Sequence, residues 1–142
     1  MGQVPVPACW VDDARQPGRA ATVLRDRADP ESARLVAHTE FAASTSLGGW
    51  RDLVVEGLAR SVEDWLLIDV GPARVAGTRG FRVLGRSTPP GRPARVHETW
   101  CAVRDRHRCT MTLTAAVRDY DDIVDAVASA IDEWAPPIGE VA

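Results

Sequence analysis

Three groups of side chains in this sequence have the types that do chemistry. His97-Glu98, with His107 further along, offers imidazole and carboxylate for a metal or for proton transfer. Cys101 or Cys109 with His107 supplies a thiol and a base. Asp119, Asp121, Asp122 and Asp125 look superficially like a calcium loop. Spacing argues against each. Neighbours in a strand point to opposite faces, so His97 and Glu98 cannot serve one site. Both cysteines fall on the expected buried side of their strands, where a thiol is inert, and no third group orients the histidine. The aspartates lack the glycine and terminal glutamate of a calcium loop, and Ile123-Val124 between them suit a helix.

Other sets are weaker still. Cys9, Cys101 and Cys109 show no C-x-x-C spacing and His38, His97 and His107 are scattered, so no zinc site is expected. Ser44-Thr45-Ser46 and Gly48-Gly49 lack the strand–turn–helix setting of a nucleophile elbow. The 142 residues contain no Lys and no Asn. That removes Schiff bases, the P-loop lysine and the asparagine of papain-type sites. Both residues have A/T-rich codons, so a high-GC genome accounts for the absence. No catalytic set, cofactor or metal is expected.

The elements that would position these residues follow from periodicity. Residues 1–19 read as an extended leading segment, with Val4-Pro5-Val6-Pro7 and a turn at Gln16-Pro17-Gly18. Residues 20–27 and 33–42 read as paired strands, the second with Leu35, Ala37, Thr39 and Phe41 on one face. Residues 47–65 read as a helix: Trp50, Leu53, Val54, Leu58, Val62 and Trp65 recur every three or four positions behind a Ser44-Thr45-Ser46 cap. Gly57 in that helix is expected to allow close packing on a sheet. Strands follow at 66–75, 79–87, 94–104 and 107–116, the last two a hairpin about Asp105. A three-residue loop there would set Cys101 opposite Cys109, within reach of a disulfide, and a two-residue loop would not. A second helix spans 119–134, with Asp119 as N-cap and Tyr120, Ile123, Val124, Val127, Ile131 and Trp134 inward. Residues 136–142 form a tail.

One domain over 1–142 is long enough for a core without staples. No apolar run approaches the roughly 18–20 residues of a membrane span. Val6-Pro7-Ala8-Cys9 stands too near the first residue to be a lipoprotein cleavage box, and the expected compartment is the cytoplasm. The formal charge is −3, but residues 74–108 hold nine arginines against Glu98 and Asp105, whereas 119–142 hold five Asp and two Glu without a base. The basic sheet therefore has two readings: paired with the chain's own acidic helix, or a contact surface for an acidic partner. Nucleic acid is disfavoured by the acidic total and the lack of a binding motif.

The order of elements resembles the PsbP-like superfamily, which also holds the yeast Ran-binding Mog protein and actinobacterial LpqN-type lipoproteins. The resemblance rests on Pro7-Ala8-Cys9-Trp10, the paired strands, the helix 47–65, and Val75-Ala76-Gly77-Thr78 before the Phe81 strand. The hairpin about Asp105 and the Asp119-Tyr120 helix start complete it. It implies an α+β fold, an α/β/α sandwich with a meandering, mostly antiparallel sheet of about six strands. It also implies a binding or adaptor scaffold, usually without catalysis. The resulting expectation is a non-catalytic, protein-binding domain with Arg79, Arg82, Arg86, Arg95, Arg104, Arg106 and Arg108 as the contact region. One alternative is a secretion or effector-loading chaperone, which an exposed apolar groove or a homodimer would favour. Another is a small-ligand carrier or enzyme with a helix–sheet pocket edged by Trp50, Trp65, Trp100 or Trp134, which a cavity above about 300 Å³ would favour.

Overall fold

A computed structural model of the chain describes residues 11–12, 20–26, 29, 32–134 and 136. The remainder of the leading segment with Cys9 and Trp10, and the tail beyond 136, lie outside the described residues. The strands are β1 (Val11–Asp12), β2 (Ala20–Leu24), β3 (Arg34–Phe41), β4 (Leu66–Val75), β5 (Thr78–Ser87), β6 (Arg95–Arg104) and β7 (His107–Ala116). Helices α1 (Leu47–Ser61) and α2 (Val117–Asp132) complete the described elements. The strands form one antiparallel sheet in the order β1-β2-β3-β7-β6-β5-β4. Six of the seven strands have five residues or more, in line with the sheet expected. Strands β4 to β7 run as a meander. Helix α1 carries the chain from β3, inside the sheet, to β4 at its free edge.

The period of two along the strands separates two cores. Leu35, Ala37, Met111, Leu113, Trp100 and Val75 face one way and meet Ile123, Val127, Ile131 and Trp134 at the α2 end of the chain. Phe81, Val83 and Cys101 face the other way and meet Trp50, Val54, Val55 and Leu58 of α1. These are the α2 face and the α1 face. Helices on both faces of one sheet make the sandwich.

Two hairpins are tight. Ala76-Gly77 and Asp105-Arg106 each form a two-residue loop with both φ angles positive, 54° and 70°, then 49° and 65°. That is the mirror-image turn whose twist matches paired strands. The two-residue loop at Asp105 settles the cysteines: Cys101 pairs with Thr110 and Ala102 with Cys109. The thiols therefore belong to opposite cores, and both are free.

Both helices depart from their expected limits. Ser46 caps α1 through its Oγ, which accepts from the Gly49 N–H at 3.3 Å. The helix stops at Ser61 because Val62 is extended, and Asp64 then takes φ 52°. Trp65 thus lies past the helix, against Gly85. Leu53, expected inward, is exposed, and the inward stripe is Trp50, Val54, Val55 and Leu58. Gly57 meets nothing and does not pack on the sheet. Helix α2 starts two residues early, directly from β7. Ala116 is its cap without a side-chain bond, and the Val117 N–H is taken by the Ala94 carbonyl at 3.2 Å. Asp119 is instead an acid in the first turn, where it complements the helix dipole. No described helix is long and apolar enough to cross a membrane.

Candidate functional site

The residues expected to do chemistry are kept apart. His97 pairs with Gly85 and faces the α1 side, while Glu98 pairs with Leu84 and faces α2. His97 Nε2 lies 2.8 Å from Ser87 Oγ, and its ring meets that of Trp65 edge-on with centroids 6.1 Å apart. Burial, and then the Arg95 charge, hold its pKa below the usual imidazole value. His107 is at the far end of the hairpin, where Nδ1 donates to the Asp105 carbonyl at 2.8 Å. Asp121, Asp122 and Asp125 stand exposed on α2. No cluster of three metal-ligating side chains occurs among the described residues.

Burial pushes the Cys101 thiol up to about 12 and the Cys109 thiol up to about 11. Neither has appreciable thiolate at neutral pH. Iodoacetamide is expected to label both only after denaturant is added, as read by peptide mass spectrometry. Stoichiometric labelling of Cys101 in the native protein would show that it is accessible and activated.

Glu98 is the centre of a buried network. It is only 2% exposed. The Tyr120 hydroxyl donates to its Oε1 at 2.6 Å, and Arg82 donates to its Oε2 at 3.0 Å. The other Arg82 nitrogen donates to Asp69 at 2.6 Å. Burial raises the Glu98 pKa above the usual carboxylate value, against the opposing pull of Tyr120 and Arg82. Burial, and then Glu98, raise that of Tyr120. Both carboxylate oxygens are engaged, so the network fixes α2 on β6 and offers no open position for a reactant.

The seven arginines of the expected contact region divide between faces. By register, Arg82, Arg86 and Arg104 belong to the α2 face, and Arg79, Arg95 and Arg108 to the α1 face. Arg106 is in the β6–β7 turn. Four of the seven are engaged within the chain. Arg82 is held as described, and Arg104 donates to the Ala76 carbonyl at 3.2 Å. Arg108 bonds Thr45 Oγ1, pairs with Glu40 at 3.5 Å and covers the Trp50 ring at 5.4 Å. Arg95 is engaged as well. Arg79, Arg86 and Arg106 are exposed and make no ion pair with a described residue. The expected pairing of this sheet with the acidic helix reduces, among the described residues, to Arg74 and Asp132 at 3.4 Å.

The tryptophans do not edge one pocket. Trp50 is buried under α1 with its ring edge-on to Phe81 at 5.3 Å, and Trp65 covers Gly85. Trp100 and Trp134 lie in the core on the α2 side. A cleft of about 410 Å³ does exist between α1 and the sheet, and none of the described tryptophans lines it. Its walls are Leu47, Val70, Pro72 and Phe81, with Arg51 and Arg79. Arg51 was not among the expected residues, because nothing local in the sequence relates the start of α1 to β5.

A second surface also went unforeseen. Leu66, Leu67 and Ile68, on the free edge strand β4, are 61%, 42% and 53% exposed. Arg86 pairs directly with Leu66, and Ile68 forms a bulge in the β4–β5 register. Three consecutive exposed aliphatics were legible in the sequence as a strand. That they lie on an edge follows only from the strand order.

No sequence-family profile and no curated protein matches the chain. Solved structures do. LpqN of Mycobacterium tuberculosis, described as involved in cell envelope biogenesis, is 18% identical over 92% of this chain and 79% of its own, with a TM-score of 0.71. The cyanobacterial PsbP of Synechocystis is 18% identical over 88% and 82%, TM-score 0.61. The Ran-binding protein Mog1p of Saccharomyces cerevisiae is 12% identical over 90% and 82%, TM-score 0.57. At these identities the likeness speaks of architecture alone, and it agrees with the antiparallel sheet and two flanking helices: the chain has the Mog1/PsbP-like α+β fold.

Proposed function

We propose that this is a non-catalytic domain that binds a protein partner through the free edge of β4. The observation that carries the reading is the exposed run Leu66-Leu67-Ile68, which presents aliphatic side chains on both faces of the β4 edge, with Arg86 directly opposite Leu66. Large aliphatics gathered at the surface mark interaction sites, and arginine is enriched at protein interfaces. Without lysine, every side-chain cation of this chain other than histidine is a guanidinium, suited to bidentate pairing with carboxylates. The partner is therefore acidic around an apolar centre. That a protein of the same fold is named for binding Ran supports a protein partner in general, not that one. Of the arginines expected at the contact, Arg86 stands beside this run, whereas Arg79 and Arg106 lie towards the other end of the sheet. Pro72 has no N–H and the bulge at Ile68 breaks the ladder, so β4 is poorly suited to continue the sheet into a second copy. Contact by side chains is favoured over homodimeric strand pairing. The reading includes no cofactor or metal, and a cytoplasmic setting.

The test is quantitative capture of partners by the full chain, comparing wild type with Leu66→Ser/Ile68→Ser and with Arg86→Ala. We expect at least a tenfold loss for the double variant and a several-fold, salt-dependent loss for Arg86→Ala. Equal recovery by all three would remove this surface from the reading. The same strip favours a chaperone that holds an apolar client segment as the second reading. In that case the double variant loses its client and Arg86→Ala keeps it.

A further inference from the structure

We propose that the cleft between the start of α1 and strands β4 and β5 binds a small anionic amphiphile, with Arg51 and Arg79 on the anionic head and Leu47, Val70, Pro72 and Phe81 around an apolar body. The charge arrangement carries the argument. Arg79 stands directly opposite Arg74 in the β4–β5 ladder. Like charges in that position repel. Arg74 is compensated by Asp132 at 3.4 Å and by the Gly77 carbonyl at 2.8 Å. Arg79 has no such partner among the described residues. Among the described residues Arg51 pairs only with Asp52, at 3.5 Å, whose side chain is 77% exposed. An ion pair so exposed neutralises little. Among the described residues no carboxylate lines the cleft, so its two guanidinium groups share it without a compensating charge from them.

The apolar walls select among anions. A bare inorganic ion would leave Leu47, Val70, Pro72 and Phe81 uncovered. An apolar body on the same ion covers them and gains about 25 cal/mol for each Å² removed from water. A volume of about 410 Å³ is within the range of small-molecule sites. Guanidinium forks donate equally well to a carboxylate or a phosphate ester, and the head group is left to the experiment.

Isothermal titration of the full chain with decanoate, decyl phosphate and decylammonium tests this. Binding of decanoate or decyl phosphate, at least tenfold weaker in Arg51→Ala and Arg79→Ala, is the expected result, and the tighter of the two identifies the head. Arg92→Ala, in the exposed loop before β6, should bind like wild type. Amide shifts in ¹⁵N spectra should centre on Gly71, Gly80 and Phe81. Equal affinity for decylammonium, indifference to both arginine substitutions, or shifts centred on Leu66–Ile68 would each overturn the assignment. So would the absence of binding by both anions at millimolar concentration. Leu66→Ser/Ile68→Ser should leave decanoate affinity unchanged, so this site and the protein contact stand or fall separately.

Discussion

Arg82→Ala is expected to lower the stability of the fold by about 3 kcal/mol at neutral pH, and by clearly less near pH 4.5. The reason is what it leaves behind. Glu98 would keep its Tyr120 bond but lose its ion-pair partner Arg82 while only 2% exposed. A buried charge without its counter-ion costs several kcal/mol, more than the pair itself contributes. The sign of the pH effect follows from the raised folded pKa of Glu98. Between the unfolded value and that raised one, the folded state binds more protons, so stability falls as pH rises. Removing Arg82 takes away two influences that hold the pKa down, so the window extends to higher pH in the variant. Below about 4.5 the carboxyl is neutral in both states, and neutral Glu98 still accepts from Tyr120. The gap between variant and wild type therefore widens with pH. Urea midpoints at pH 4.5 and 7 measure it, and adding Glu98→Gln to the variant should recover much of the loss at pH 7. A loss under about 1 kcal/mol, or a gap that does not change with pH, would mean that Glu98 is better solvated than its burial indicates. The result also bears on function. Loss of partner binding in an Arg82 variant would report on folding, so Arg86 and Arg79 are the arginines to replace at a surface.

What the sequence disclosed follows a physical rule: patterns local in the chain were legible, and juxtapositions across it were not. Strand β7 could be read from Cys109, Met111, Leu113 and Ala115 because one of its faces is buried throughout. The inward stripe of α2 was visible for the same reason. The end of α1 was not, because Val62 and Trp65 continue the helical spacing while the backbone leaves the helix at Val62 and turns at Asp64. The loop length at Asp105 escaped because Arg106 takes a positive φ that its type does not advertise. The division of the arginines was in part available. Arg79 differs in parity from Arg82 and Arg86, and a strand must present it on the other face. Glu98 and Tyr120 are 22 positions apart, and only α2 lying across β6 brings them together. Arg51 and Arg79 meet at one cleft for an equally remote reason, the passage of α1 over the sheet to the β4 edge.

Gly80→Ala is expected to cost about 3 kcal/mol, the upper part of the range for forcing extra volume into a packed core. A Cβ built on Gly80 runs into the Cys101 carbonyl oxygen and comes within 2.9 Å of the Ala102 Cβ. Ordinary cross-strand Cβ atoms are about 4.5–5.5 Å apart, so β5 and β6 approach here more closely than a regular ladder. The obstacle is backbone and a side chain with no rotamer to change, so relief requires moving a strand. Gly85 differs in this respect: its Cβ would meet the Trp65 ring, a partly buried side chain outside any helix or strand that can shift by rotation. Gly57 differs in sign. It faces open space in the middle of α1, and Gly57→Ala should gain up to about 1 kcal/mol from helix propensity alone. Urea midpoints of the three variants should rank Gly80→Ala lowest, then Gly85→Ala, with Gly57→Ala above wild type. Because Gly80 is next to Arg79 and Phe81 in the cleft wall, spreading β5 from β6 should also weaken decanoate binding. A Gly80→Ala midpoint equal to wild type would mean that the two strands are not held so close, and that the cleft wall is set by something other than this contact.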